Sequence, residues 1–163
     1  MRNKGNGVDT IYLTRGKESI IDKEDYDRVN KYMWHTGNHG YASHKNNSES
    51  LLLHRFIMSP KEGEYVDHIN GNKLDNRKVN LRICSNSENA MHRVNLQSNN
   101  KSGYQGVHFD KSRGKWMSYI KVDNKRIGLG RFNAKEEAIK VRKDAETKYF
   151  GEFKPLDNLK KEE

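Results

Sequence analysis

Asp67 and His68 stand side by side in the stretch YVDHINGNKLDNRKVNLRICSNSENAMHR, residues 65–93, which is crowded with Asp, Asn, His and Arg and holds few residues to bury. A neutral imidazole titrates at about pH 6.5 and can take a proton from water, and a carboxylate is the preferred ligand of a hard ion such as Mg2+. A base and a divalent cation are what hydrolysis of a phosphodiester near neutral pH requires. Adjacent residues on a strand point to opposite faces, so the two groups can flank one phosphate only where the backbone twists or bends. Gly71 provides a position for such a bend. By composition alone the span reads either as a solvated loop or as a site that uses its polar side chains as ligands.

The elements around this span must aim its side chains. Residues 8–22, VDTIYLTRGKESIID, hold two short runs rich in Ile, Tyr, Thr and Leu around Arg15-Gly16, the pattern of a hairpin. Asp22 is placed to cap a helix over DKEDYDRVNKYMW, with Glu24 and Asp25 in its first turn. After HTGNHG, residues 41–44 and 50–54 read as a second strand pair. Residues 95–101, polar and rich in Asn and Ser, form the expected linker. Beyond it the runs YQGVHF, KWMSYIKV and KRIGLGRF are separated by turn residues. They are followed by AKEEAIKVRKDAETKYFG, with Ala138, Val141, Ala145 and Tyr149 at helical spacing. The fold class expected is α+β: a β-rich N-terminal segment, a compact polar site, then a three-stranded antiparallel sheet backed by one helix over 102–153. Residues 154–163 are expected to be a frayed tail.

Composition narrows the partners. The chain has 163 residues, enough for one ordinary domain or two very small ones. Its net charge of +9, from 31 Lys and Arg against 22 Asp and Glu, suits a polyanion. No apolar run approaches the roughly 20 residues needed to span a bilayer, so no membrane partner is expected. Cys84 is the single cysteine, which excludes an internal disulfide or a thiolate zinc cluster and suggests a reducing compartment. Cys84 itself reads as a small buried hydrophobe. The N-terminus lacks the apolar core of a signal peptide, in keeping with a cytoplasmic expectation.

Taken together, Asp67-His68-Ile69-Asn70-Gly71, Asp75-Asn76-Arg77, Asn80-Leu81-Arg82 and Asn89 resemble the HNH endonuclease family, particularly its phage and intron-encoded homing members. The resemblance covers residues 51–93, and the segment before it looks like the one that commonly precedes that nuclease. It implies a ββα-metal fold within residues 1–94, with His68 as general base and with Asp67 and Asn89 as the protein ligands of one divalent metal. It also implies that Asn80 pins the loop between the two strands. Asn89 stands where many relatives have His, which points to Mg2+ or Mn2+ over Zn2+. Arg77 and Arg82 read equally as phosphate contacts or as surface ion pairs. His54, in the element Leu53-His54-Arg55, reads as packing beneath the site.

Within residues 101–131, eight basic side chains face two acidic ones, and Tyr104, Trp116 and Tyr119 lie among them. This suits phosphate contact and aromatic packing on double-stranded DNA. The text over 102–153 resembles the AP-two, or ethylene-response-factor, DNA-binding domain, at Gly106-Val107, Trp116, Leu129-Gly130, Phe132, Ala138 and Phe150-Gly151. The DNA-binding residues expected on this basis are Arg113, Lys115, Trp116, Lys121, Lys125 and Arg126. Gln105, His108 and Tyr119 depart from the plant pattern, so its base preference does not carry over. The helix's Lys and Glu residues read as a solvated face. The whole reads as a monomeric, metal-dependent DNA endonuclease. A non-catalytic DNA-binding regulator and an RNA-binding or RNA-processing protein are the alternatives.

Overall fold

The computed structural model describes residues 7–14, 16–46, 49–92, 96 and 100–156. Arg15 in the first turn, Asn95, Gln97, Ser98 and Asn99 of the expected linker, Arg93, and residues 157–163 of the tail lie outside the described residues. Contacts group the chain into two compact units, Met1–Asn86 and Ser87–Glu163, and the fold is mixed α and β with small antiparallel sheets.

In the first unit β1 (Val8–Tyr12) and β2 (Glu18–Asp22) form an antiparallel hairpin. Alternation buries Ile11 and Ile21 on its inner face. The helix expected over 22–34 is cut to a 3-10 turn and α1 (Tyr26–Val29). Where it ends, Trp34, 3% exposed, turns inward and donates from Nε1 to the Val29 carbonyl at 2.9 Å, which also accepts from the Tyr32 amide at 3.2 Å. The second sheet has three strands, β3 (His35–Thr36), β4 (Ala42–Asn46) and β5 (Glu49–Leu52). Leu53 and His54, expected in a strand, instead open α2 (Leu53–Met58). The apolar run there is a buried helix, two forms that periodicity alone does not separate.

A hairpin of β6 (Tyr65–His68) and β7 (Leu81–Cys84) follows, pairing Asp67 with Arg82 and His68 with Leu81. The core joins Ile11, Leu13, Ile21, Val29, Trp34, Ala42, Leu53, Ile57, Val66 and Leu81. Strand β6 therefore rests on elements from the whole unit. Cys84 is buried.

The second unit begins in α3 (Asn86–His92), then β8 (Val107–Asp110), β9 (Lys115–Val122) and β10 (Lys125–Phe132) form one antiparallel sheet in the order β10-β9-β8. Helix α4 (Lys135–Phe150) crosses it. Its inner face is Ala138, Arg142, Ala145, Glu146 and Phe150. Tyr149, expected inside, is 37% exposed. Arg142 and Glu146 depart from a solvated face because they serve each other: Arg142 Nη2 lies 3.2 Å from Glu146 Oε1 and Nε donates to the Gln105 carbonyl at 3.1 Å. Tyr104 donates its hydroxyl to Glu146 Oε2 at 2.9 Å. This buried ion pair ties the chain entering the sheet to the helix behind it, while Arg142 Nη1 is buried without a hydrogen-bond partner among the described residues.

Candidate active site

The loop between β6 and β7, residues 69–80, is closed by its own amides. Asn80 Oδ1 accepts from the Asn70 amide at 2.9 Å and Asn80 Nδ2 donates to the Asp75 carbonyl at 2.8 Å. Asn70 Nδ2 donates to Asp75 Oδ2 at 2.9 Å. Gly71, at φ +72°, closes a turn by donating to the His68 carbonyl at 2.9 Å, so the backbone bends directly after the imidazole. The loop is also bonded to β2: Ile20 donates to the Leu74 carbonyl at 2.8 Å and Asn76 to the Ile20 carbonyl at 2.7 Å. The Lys78 amide donates to Asp22 Oδ2 at 2.7 Å.

This bracing fixes the protonation pattern of His68. Ser19 Oγ donates its one proton to the Leu74 carbonyl at 2.9 Å, so it accepts from Asn76 Nδ2 at 2.8 Å. The amide orientation that results turns Asn76 Oδ1 toward His68 Nε2 at 3.2 Å. A carbonyl oxygen only accepts, so Nε2 carries the hydrogen and the neutral ring presents Nδ1 as its basic nitrogen. His68 is 4% exposed. Burial pushes its pKa below the ordinary histidine value, against the opposing pull of Asn76, Asp67 and Asp75. The ring is therefore an unprotonated base at neutral pH.

Asp67 is buried, and its Oδ2 accepts from Arg82 Nη2 at 2.8 Å and Nε at 3.1 Å. Arg77 grips Asp75 with two bonds, 2.7 and 2.6 Å, and holds its carboxyl below the usual carboxylate range. Both arginines that the sequence left open thus stand in ion pairs, Arg82 beside the base and Arg77 under the loop. Asn89 lies on α3 in the second unit and is 7% exposed. Among the described residues no group of three or more His, Cys, Asp or Glu side chains could hold a metal.

Two further rings flank the base. His54 meets His68 edge-on at 5.0 Å between centroids, and Tyr41 lies 5.0 Å from His54 and 5.8 Å from His68. His54 is 5% exposed, and burial, with the nearby His68 and Arg55, holds its pKa down to about 3. Its proton is therefore taken up by the unfolded chain first. The stability that the neutral ring contributes is complete above about pH 6.5 and is lost at about 1.4 kcal/mol per pH unit as the pH falls from there toward 3. Urea denaturation at pH 7 and 4.5 is expected to show wild type losing about 2 to 3 kcal/mol more than His54→Phe. Equal losses in the two proteins would contradict the assignment.

In the second unit the faces of β9 separate. Trp116 packs with Phe132 and Ile139 on the cluster of Tyr104, Val107 and Ala138, on the side of α4, with its ring 5.2 Å from Phe109 and Lys135 Nζ 6.0 Å above it. Alternation places Lys115, Met117, Tyr119 and Lys121 on the other side. There the Arg126 guanidinium covers the Tyr119 ring at 3.6 Å, and His108 meets the same ring at 6.0 Å. Lys121, Lys125 and Arg126 are exposed. Arg113, in the β8–β9 turn, pairs with Asp110 at 3.2 Å, and Lys115 donates to Asn133 Oδ1.

Asn76 and Ser19, which aim the base, were not legible as such. Asn76 reads as a turn residue and Ser19 carries no signal. Tyr41 has none either, because its contact with His68 joins residues far apart in the chain.

Residues 58–91 match the HNH endonuclease family, a segment that runs from the end of α2 through β6, its loop and β7 into α3 and holds Asp67, His68, Asn80 and Asn89. Among curated relatives, the chain is 27% identical over 154 residues to an uncharacterised HNH endonuclease of Acanthamoeba polyphaga mimivirus, covering 88% of this chain and 79% of that one. It is 37% identical over 89 residues to a Bacillus subtilis strain 168 protein named as an SPbeta prophage-derived HNH homing endonuclease, covering 52% of this chain and 46% of the other. Protein 3.8 of Escherichia phage T7 is 34% identical over 64 residues, 39% of this chain and 52% of its own. The chain thus spans about half the length of these last two relatives. No solved structure gives a match. No helix among the described residues is long and apolar enough to cross a membrane.

Proposed function

We propose that the protein is a DNA endonuclease, of the homing type, that hydrolyses phosphodiester bonds by metal-assisted attack of water. The observation that carries this reading is the fixed tautomer of His68: Asn76 and Ser19 commit Nε2 as a donor, so Nδ1 is the group that takes the proton from the attacking water. Asn80 holds the bend that keeps the ring aimed.

The reading includes a ββα-metal arrangement of β6, β7 and α3 with one divalent ion. The donor chemistry fits a hard ion. Asp67 is a lone carboxylate that already shares its charge with Arg82, and Asn89 adds only an amide oxygen. Such a set suits Mg2+ or Mn2+, which keep waters and take oxygens from the substrate rather than fill an all-protein cage. When bound, the ion would offset negative charge on the phosphorane-like transition state and on the leaving 3′ oxygen. Asp67 and Asn89 would hold it, and Arg82 would keep Asp67 oriented.

Double-stranded DNA is the proposed substrate. The second unit would bind it through the side of the sheet that bears Lys115, Lys121 and Arg126, with Lys125 and Arg113 at its ends and Tyr119 as its exposed-side aromatic. On this reading the AP-two-like sheet supplies affinity, and Trp116 acts by packing that sheet on its helix.

Supercoiled plasmid incubated with the protein is expected to become nicked or linear with Mg2+ or Mn2+ and to remain intact with EDTA. Plasmid that stays intact in every metal, yet is retarded on a gel, would instead favour the binding-only regulator. Preferential binding of duplex RNA over duplex DNA at fixed salt would favour the RNA reading.

A further inference from the structure

In the first unit, beside β3, β4 and the turn at 37–40, lies a cavity of about 570 Å3, within the roughly 300 to 1,000 Å3 of small-ligand sites. His35, Thr36, His39, Ser43 and Ser50 line it, and no carboxylate does. In a wall so rich in hydroxyl and imidazole groups, Ser43 Oγ is engaged with the His35 ring at 3.1 Å.

Tyr41 also lines the cavity, and its ring is the one that lies 5.8 Å from His68. Over that ring, at 4.7 Å, stands Lys73 Nζ, which reaches from the β6–β7 loop to donate to the His39 carbonyl at 2.8 Å. Lys73 is exposed and has two more protons to donate. His68 and Lys73 Nζ both stand against the Tyr41 ring, at 5.8 and 4.7 Å, so a strand whose scissile phosphate faces His68 carries an adjoining phosphate toward Lys73 and the cavity mouth.

We propose that this cavity and Lys73 form a subsite for the deoxyribose-phosphate next to the scissile phosphate. The inference rests on the nuclease reading of His68 and adds a positioning site whose cavity is lined from residues before the matched HNH segment, with Lys73 reaching to it from within that segment. Lys73 neutralises the flanking phosphate, and the imidazole edges of His35 and His39 line the space its sugar would enter.

The test replaces single phosphates of a short duplex substrate by uncharged methylphosphonates, one position at a time, and measures cleavage in Mg2+. For wild type, KM is expected to rise about tenfold at one phosphate within two steps of the cut. Lys73→Gln should raise KM similarly on the unmodified duplex, flatten the salt dependence by about one unit of slope, and show no further penalty at that one position. His39→Ala, which removes an imidazole from the cavity wall and keeps the carbonyl that Lys73 bonds, should raise KM severalfold with unchanged kcat and undiminished thermal stability. A Lys73→Gln enzyme with the wild-type penalty at that phosphate overturns the subsite, as does a His39→Ala enzyme with wild-type KM. If wild type cuts no duplex in Mg2+ or Mn2+, the nuclease reading fails instead. The same scan read as Kd in EDTA then decides the subsite alone: coupling of Lys73 to one phosphate supports it, and equal sensitivity in both proteins refutes it.

Discussion

His68→Ala is expected to lower the cleavage rate by about 10^2- to 10^4-fold while leaving duplex affinity close to that of wild type. On the proposed reading His68 acts only when the attacking water gives up its proton, so its loss removes transition-state stabilisation and little ground-state binding. The protein's basic side chains are untouched by the change, and they carry the salt-dependent attraction to phosphate. The substitution also leaves Asn76 Oδ1 without its donor in a buried place, a cost of about 1 to 3 kcal/mol. His68→Gln, which can still donate to Asn76, separates this effect from catalysis: it should recover stability and not activity. Cleavage by either variant at a wild-type rate would remove His68 from the chemistry, and a large fall in affinity would make it a binding residue.

Gly106→Ala is expected to be the most damaging small substitution in the second unit. Gly106 has φ +77°, and a Cβ on it would stand 2.4 Å from the Tyr119 carbonyl oxygen and 2.7 Å from Arg142 Nε. The left-handed backbone alone costs alanine about 1 to 2 kcal/mol. The overlap adds about 1 to 3 kcal/mol, since one neighbour is backbone and the other a buried side chain. Relief would have to break the bond from the Tyr119 amide to the Gly106 carbonyl, 2.9 Å, or displace Arg142 from Glu146. Amide exchange at Tyr119 and Ile120 should accelerate sharply and duplex affinity should fall. Gly128→Ala is the control, because a Cβ there meets nothing within 4 Å. Similar exchange in the two variants would show that the close approach is not what Gly106 is for.

The sequence revealed most where chemistry and local pattern coincide. Asp67, His68, Asn80 and Asn89 could be picked out because their types and order are unusual together. The strands β8, β9 and β10 could be picked out because alternation and turn residues mark them. What stayed hidden depends on long-range contact. Nothing local shows that Asn76 hangs from Ser19, or that Trp34 turns inward to bond to Val29. Nor does it show that Arg142 and Glu146 bury as a pair. Leu53 and His54 open a helix where an apolar run of that length fits a strand equally well. Trp116 shows the same limit from the other side. Its type suggested a DNA contact, and only the sheet's two faces reveal that it packs toward α4.

The bonds that aim the imidazole close very long chain segments: Ser19 to Leu74 spans 55 residues, Lys78 to Asp22 spans 56 and Asn76 to Ser19 spans 57. Loops of that size cost on the order of 3 to 4 kcal/mol to close, and that entropy is lost before the contacts reward it. The β6–β7 hairpin, by contrast, is joined by a short connection whose amides bond within it. The aim of the imidazole therefore depends on β2 meeting the loop across 55 residues of chain, and not on anything the hairpin closes within itself. A peptide cut down to residues 58–91 would keep Asp67, His68, Asn80 and Asn89 and lose Ser19, the anchor that sets which ring nitrogen is basic.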